Sequence, residues 1–264
     1  MASEAAMTAH PADISADAMR NLSAAMNDAA DAITAELDRL IPVVEGPRGP
    51  VIEAMRYSAL SGGKRLRPFL AMVGAELFGV PAAQAIRAGC AVEMVHCYSL
   101  IHDDLPAMDD SDTRRGRPSV HKAFDEAIAI LAGDALLTQA FEVLGDPATS
   151  DDPAVRARLV IELAKSAGSA GMVGGQVIDI SPERATMGFD EIAHLEALKT
   201  GELIRYSCVA GPILAKAAIV TIEATFIGFV LAAVLGLGLA IARMSKNPWI
   251  SWPAIGFVEF VRST

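Results

Sequence analysis

Residues 93–121 read EMVHCYSLIHDDLPAMDDSDTRRGRPSVH. Five aspartates, Asp103, Asp104, Asp109, Asp110 and Asp112, fall within ten positions, and Arg114, Arg115 and Arg117 follow them. Carboxylates this crowded raise one another's pKa unless a cation balances them. The run that leads into them, through Cys90, Met94 and Leu100, has helical period and is opened by Pro81. Pro106 must end or bend that helix, which sets Asp103 and Asp104 where the helix dipole is already negative. Acids placed there imply a bound multivalent cation. Hard oxygen ligands without His or Cys spacing suit magnesium, which keeps several waters and shares its shell with substrate phosphates. A diphosphate is then the matching ligand: Arg114 and Arg115 offer planar donors, and Lys64 with Arg67 offer a second cationic site. His96 lies two helical turns before Asp103, so the two share a face. Read alone, the run is also what a solvated acidic loop followed by a basic turn looks like.

On either side of this stretch the chain reads as helices. Leu22, Met26, Ala29, Ile33, Leu37 and Leu40 recur at steps of three and four and stop at Pro42. A helix over 51–60 ends at Gly62 and Gly63, just before the basic run Lys64, Arg65, Arg67. Pro68 opens the next, which ends near Gly79, and further helices fit 123–144, 154–166 and 190–214. The loop 145–153 is rich in turn residues, and Asp151 and Asp152 precede Pro153 as caps rather than as a second metal site. Hydrophobic residues make up 52% and aromatics 5%, and no spaced series of short strands appears, so the fold class is all-α.

The net charge of −10 excludes nucleic acid as a partner, because phosphate-backbone binding needs clustered Lys and Arg. Cys90, Cys97 and Cys208 form no CxxC pair and read as reduced core thiols of a cytoplasmic protein. The N-terminus carries acids and no early Lys or Arg, so it is no signal peptide, and 1–20 reads as a disordered tail. The character changes after Lys216. Residues 224–242, ATFIGFVLAAVLGLGLAIA, carry no charge for 19 positions, enough at about 1.5 Å per residue to cross most of a roughly 30 Å hydrocarbon layer. Arg243, Lys246, Trp249 and Trp252 follow, as at a membrane interface. A buried core helix is the bland alternative.

Five blocks stand out: GGKRLRP at 62–68, SLIHDDLPAMDDSDTRRGRPSVH at 99–121, GDALLTQAFE at 133–142, GGQVIDI at 174–180 and KTGELI at 199–204. In order and spacing they resemble the trans-isoprenyl (polyprenyl) diphosphate synthases, most closely the bacterial farnesyl diphosphate synthases, over residues 21–216. The resemblance implies an isoprenoid-synthase-type helical bundle around a central cavity, with prenyl transfer from an allylic diphosphate (dimethylallyl or geranyl) to isopentenyl diphosphate. Asp103 and Asp109 would hold magnesium on the allylic diphosphate with Asp104 in support, and Arg114 would bind that diphosphate. Lys64, Arg67, His96 and Arg115 would hold isopentenyl diphosphate, while Lys199 and Thr200 would close over the leaving group. Gln176 and Asp179 would stand at the cavity wall. Tyr98, five positions before Asp103, would stop the growing chain at farnesyl length; a packed core tyrosine is the alternative. Stabilising the departing charge is the main catalytic demand, so no nucleophilic Ser or Cys is needed. The family resemblance also implies a homodimer paired through helices of the matched region.

The resemblance stops after GPILAKA at 211–217. The family's second aspartate-rich motif has no counterpart, since no aspartate occurs beyond Asp190. The expected bundle is therefore incomplete at its C-terminal side, with activity lowered accordingly. Residues 217–264 instead resemble the first membrane helix of polar amino-acid ABC-transporter permeases, up to the EFVRST segment. This gives three expected parts: tail 1–20, synthase-like 21–216 and permease-like 217–264, with inner-membrane attachment through 224–242. Arg243 and Lys246 favour a cytoplasmic C-terminal flank, which conflicts with a cytoplasmic synthase portion. Such a conflict reads as a gene rearrangement or assembly junction near 216–221. Two other functions fit the sequence: a membrane-transport component working with a partner chain, and a non-catalytic helical binder of diphosphates.

Overall fold

The centre of the molecule is α4 (Ala82–Asp103), a helix whose residues from Arg87 to Val95 are all buried. A helix covered on every side belongs to a core, and α4 has neighbours all round it. These are α1 (Pro11–Leu40), α2 (Gly49–Ala59), α3 (Leu66–Glu76), α6 (Glu126–Gly145) and α10 (Glu202–Leu214). A computed structural model describes residues 11–216, and those up to Ala215 belong to one compact unit. Beside α6 and α10 runs α7 (Pro153–Ala167), and short α5 (Val120–Ala123) leads into α6. The remaining elements are a hairpin, β1 (Thr113–Arg114) with β2 (Arg117–Pro118), then α8 (Met172–Asp179), a 3-10 turn at Pro182–Thr186 and α9 (Phe189–Glu196). Between α9 and α10 lies a π-helical segment, Ala197–Gly201.

Charged groups inside the bundle are paired, as burial demands. Arg65 and Glu93, 3% and 2% exposed, meet at 2.6 Å and tie the α2–α3 connection to the middle of α4. Arg87 on α4 reaches Asp146 at 3.0 Å, the Thr149 hydroxyl at 3.0 Å and Glu36 of α1 at 3.6 Å. Elsewhere backbones touch: a Cβ on Gly211 of α10 would lie 2.3 Å from the Ala75 nitrogen of α3, so that crossing requires glycine.

The all-α expectation holds, with local differences. Helix α1 begins at Pro11, so residues 11–20, expected in the disordered tail, are helical. The helix expected over 123–144 is split, because the Asp125 carboxylate accepts from the Ile128 amide at 2.7 Å and starts α6 afresh. Helix α3 starts at Leu66, with Pro68 inside its first turn, where the missing N–H costs nothing. The helix expected over 190–214 is interrupted by the π segment. The hairpin arises because Arg115 (φ 54°) and Gly116 (φ 77°) both take left-handed backbone, giving the two-residue turn that matches strand twist. Cys90 and Cys97 are buried core thiols, whereas Cys208 is exposed on α10. Among the described residues one helix, Glu126–Gly145, is long and apolar enough to cross a membrane, and it packs against α4, α2, α5 and α7. The apolar run 224–242, the permease-like part 217–264 and residues 1–10 of the tail lie outside the described residues.

Candidate active site

Helix α4 ends at Asp103 because Pro106 cannot continue it; the Asp109 amide then folds back onto the Asp103 carbonyl at 2.9 Å. The aspartate-rich loop is thereby wrapped around the helix end. From that end a cavity of about 360 Å³ opens, lined on the α4 side by His96, Ser99, Leu100 and Asp103. Arg67 enters from α3, and Lys199 and Thr200 from the π segment. Met172, Val173 and Val177 of α8, with Ile180 just beyond it, make the opposite wall apolar. An aliphatic ligand with a charged head fits such a site, because one wall is oily and the mouth carries the charges.

Lys199 is the hinge of the electrostatics. Its ammonium stands 3.9 Å from Asp103 and donates to Asp179, whose other oxygen meets Arg184 at 2.6 Å. The position depends on Gly175, where a Cβ would fall 2.3 Å from the Lys199 nitrogen, so α8 can lie against the π segment only without a side chain there. π-helical turns recur at functional sites, and this one carries both Lys199 and Thr200. Thr200 donates to Glu196 at 3.3 Å.

Burial raises the Asp103 carboxyl above the usual range; Lys199 and Arg114 oppose that, while Asp109 and Asp104 add to it. His96 is driven the other way, to about 3, first by burial and then by the charges of Arg67, Arg115, Arg65 and Arg114. It is therefore a neutral imidazole at ordinary pH, able to donate from one nitrogen and accept at the other. Burial also lowers Arg67, whose Nε is buried without a partner. Gln176 has the same orphaned character at Nε2. Buried donors left unpaired beside a cavity are suited to an anionic ligand.

The structure brings Arg67, His96, Asp103, Lys199 and Thr200 to one cavity. Asp104 is elsewhere engaged: it is 2% exposed and clamped by Arg114, whose Nε lies 3.1 Å from both its oxygens. Arg115 bonds the Gly62 carbonyl and lies 3.3 Å from the Ser61 hydroxyl. Lys64 and Asp109 are exposed. Among the described residues no three His, Cys, Asp or Glu side chains converge into a closed metal shell. The oxygens present, Asp103 half-buried and Asp109 exposed, suit an ion that fills its shell with water and phosphate, and such an ion would oppose the upward shift of the Asp103 carboxyl.

Sequence reasoning passed over the Asp179–Arg184 pair and the apolar face of α8. The signal was there: Val173, Val177 and Ile180 recur at helical spacing beside the paired glycines. Tyr98 lines the cavity at 7% exposure, its ring edge-on to His102 at 5.6 Å, and burial followed by Asp103 raises its hydroxyl.

Comparison with known proteins identifies the family. Residues 50–231 match the family described as polyprenyl synthetase. Farnesyl diphosphate synthase of Geobacillus stearothermophilus is 44% identical over 196 residues, covering 73% of this chain and 65% of the relative. The heterodimeric geranylgeranyl pyrophosphate synthase large subunit 1 of Arabidopsis thaliana is 48% identical over 189 residues, 70% of this chain and 50% of the relative. An apo crystal structure of an FPP/GFPP synthase from Zymomonas mobilis superposes with a TM-score of 0.72 at 47% identity, covering 74% of this chain and 71% of that one. The chain thus spans 50% to 65% of the length of these curated relatives.

Proposed function

This chain belongs to the polyprenyl synthetase family, and from that premise we propose that it binds isopentenyl diphosphate and an allylic diphosphate, dimethylallyl or geranyl, and joins them toward farnesyl diphosphate. The observation that carries the reading is the cavity itself, with Asp103 and Lys199 3.9 Å apart at its charged end and the aliphatic side chains of α8 along its wall.

Asp103 and Asp109 would hold magnesium against the allylic diphosphate. Bound there, the ion supplies positive charge to the departing diphosphate. Lys199 adds its ammonium to the same group by turning from Asp179 toward the mouth, and the Thr200 hydroxyl donates beside it. Arg114 keeps Nη1 for the allylic diphosphate, because Asp104 engages Nε and Nη2. Asp104 thus supports the site by orienting a guanidinium. Arg67, Lys64 and Arg115 hold isopentenyl diphosphate, with neutral His96 as donor. Once the allylic cation forms, the isopentenyl double bond attacks it and the proton leaves to the released diphosphate. Tyr98 supports a farnesyl-length product, since its ring closes part of the cavity five residues before Asp103.

The junction near Lys216 and membrane attachment through 224–242 stand as accompanying proposals. The first is supported by the compact unit ending at Ala215, although the family match runs to residue 231. A sequencing read unbroken across the codons for Lys216 and Thr221 in genomic DNA would refute an assembly junction. Extraction of the full chain into buffer without detergent would end the attachment.

Titration calorimetry tests the main reading. The full chain should take up geranyl diphosphate with magnesium and not without it, and Asp103→Ala should lower that affinity by roughly a hundredfold, as loss of one charge-stabilising group does. Uptake indifferent to magnesium would overturn it. Because these 264 residues carry no aspartate beyond Asp190, turnover is expected several orders below that of a two-motif synthase, at roughly 10² to 10³ per missing stabiliser.

A further inference from the structure

We propose that Tyr57 is a positioning residue: it pins the β1–β2 hairpin to α2 and so holds Arg115 in place for a diphosphate. The inference rests on the reading of Arg115 as a diphosphate ligand, and adds to it a residue outside the cavity. Three contacts converge on one ring. The Tyr57 hydroxyl donates to the Pro118 carbonyl at 2.9 Å. The Arg117 guanidinium lies over the ring face, 4.1 Å from its centroid. Phe124, just past α5, meets the ring edge-to-face at 5.6 Å. Tyrosine alone offers a hydroxyl, a cation-binding face and an apolar edge together.

The hairpin needs such a fastening. It has two residues per strand, in the register Thr113↔Pro118 and Arg114↔Arg117, and isolated two-stranded ribbons are marginal in water. Its turn holds Arg115 at φ 54°, a conformation that a side-chain-bearing residue adopts only when its surroundings impose it. Strand β1 is anchored to α4 by the Arg114–Asp104 clamp. Strand β2 is anchored to α2 by Tyr57. Between these anchors Arg115 reaches back to Ser61 and Gly62, one turn beyond Tyr57 on the same stretch of chain. Loss of the Tyr57 anchor frees β2 and Arg115 while Arg114 stays on Asp104. The two diphosphates should then respond differently.

The test compares wild type, Tyr57→Phe and Tyr57→Leu as full chains. Amide hydrogen exchange in 113–118 should quicken about tenfold in Tyr57→Leu, with α4 and α6 unchanged, because all three ring contacts are lost. With magnesium, its affinity for isopentenyl diphosphate should fall about tenfold and that for geranyl diphosphate should hold within about twofold; Tyr57→Phe, which loses one hydrogen bond, should fall about threefold. Unchanged hairpin exchange overturns the proposal. So does a joint loss of both affinities with protection lost throughout the bundle, which marks a merely structural role. If the wild type takes up neither diphosphate, the functional reading fails, and hairpin exchange still decides the Tyr57 assignment. Should Tyr57→Leu not fold, Arg117→Leu removes the cation from the same ring and carries the same exchange test.

Discussion

His96 shows how one side chain can be legible by position and illegible by chemistry. Its spacing from Asp103 placed it on the cavity face, but only the packed structure sets four arginines around it and depresses its pKa to about 3. That depression carries a sign. The folded state holds His96 neutral while the unfolded chain binds a proton near the ordinary imidazole value of 6.5, so stability is full above pH 6.5 and is lost as pH falls toward 3. Replacing His96 with Gln should remove this acid sensitivity. Urea melts at pH 7 and 4.5 would show it, the wild type losing about 1–2 kcal/mol more than His96→Gln after discounting for partial exposure to the cavity. Equal losses would mean the imidazole titrates normally. The buried cysteines follow similar physics: burial pushes Cys97 up to about 12 and raises Cys90 as well, which leaves them inert thiols.

Among the elements, α8 and the π segment decide the site. Most core helices were evident from period and punctuation, because an apolar face and a proline or glycine boundary are local properties. Helix α8 was absent from the helices read by period, since two glycines within eight residues weaken its helical signal. The same glycines are what let it approach. Gly175→Ala should therefore push α8 off Lys199 at a cost of about 1–3 kcal/mol, and weaken magnesium-dependent geranyl diphosphate binding more than it lowers the melting temperature would suggest. Binding and melting unchanged in Gly175→Ala would show that the two backbones can part freely. The hairpin is a second element hidden from pattern reading: two-residue strands have no periodicity, and only the Arg-Gly turn hints at them.

Across the whole molecule, α4 is the axis and its buried ion pair the main polar tie. Glu93→Ala should strand the Arg65 guanidinium in the core and destabilise the protein by about 3–5 kcal/mol, whereas replacing both with apolar residues should restore most of it. Chemical denaturation of the single and double variants would tell these apart; a mild single variant would mean water reaches Arg65. From sequence alone came the all-helical class, the family and the residue types proposed for diphosphate and magnesium, because these depend on periodicity and on motifs a few residues long. Tertiary structure alone decided which charges line the cavity and which face each other. Asp104 was spent on Arg114, Arg65 on Glu93 and Lys199 on Asp179. Such choices follow from distance and burial between segments far apart in the chain, and no local pattern carries that information.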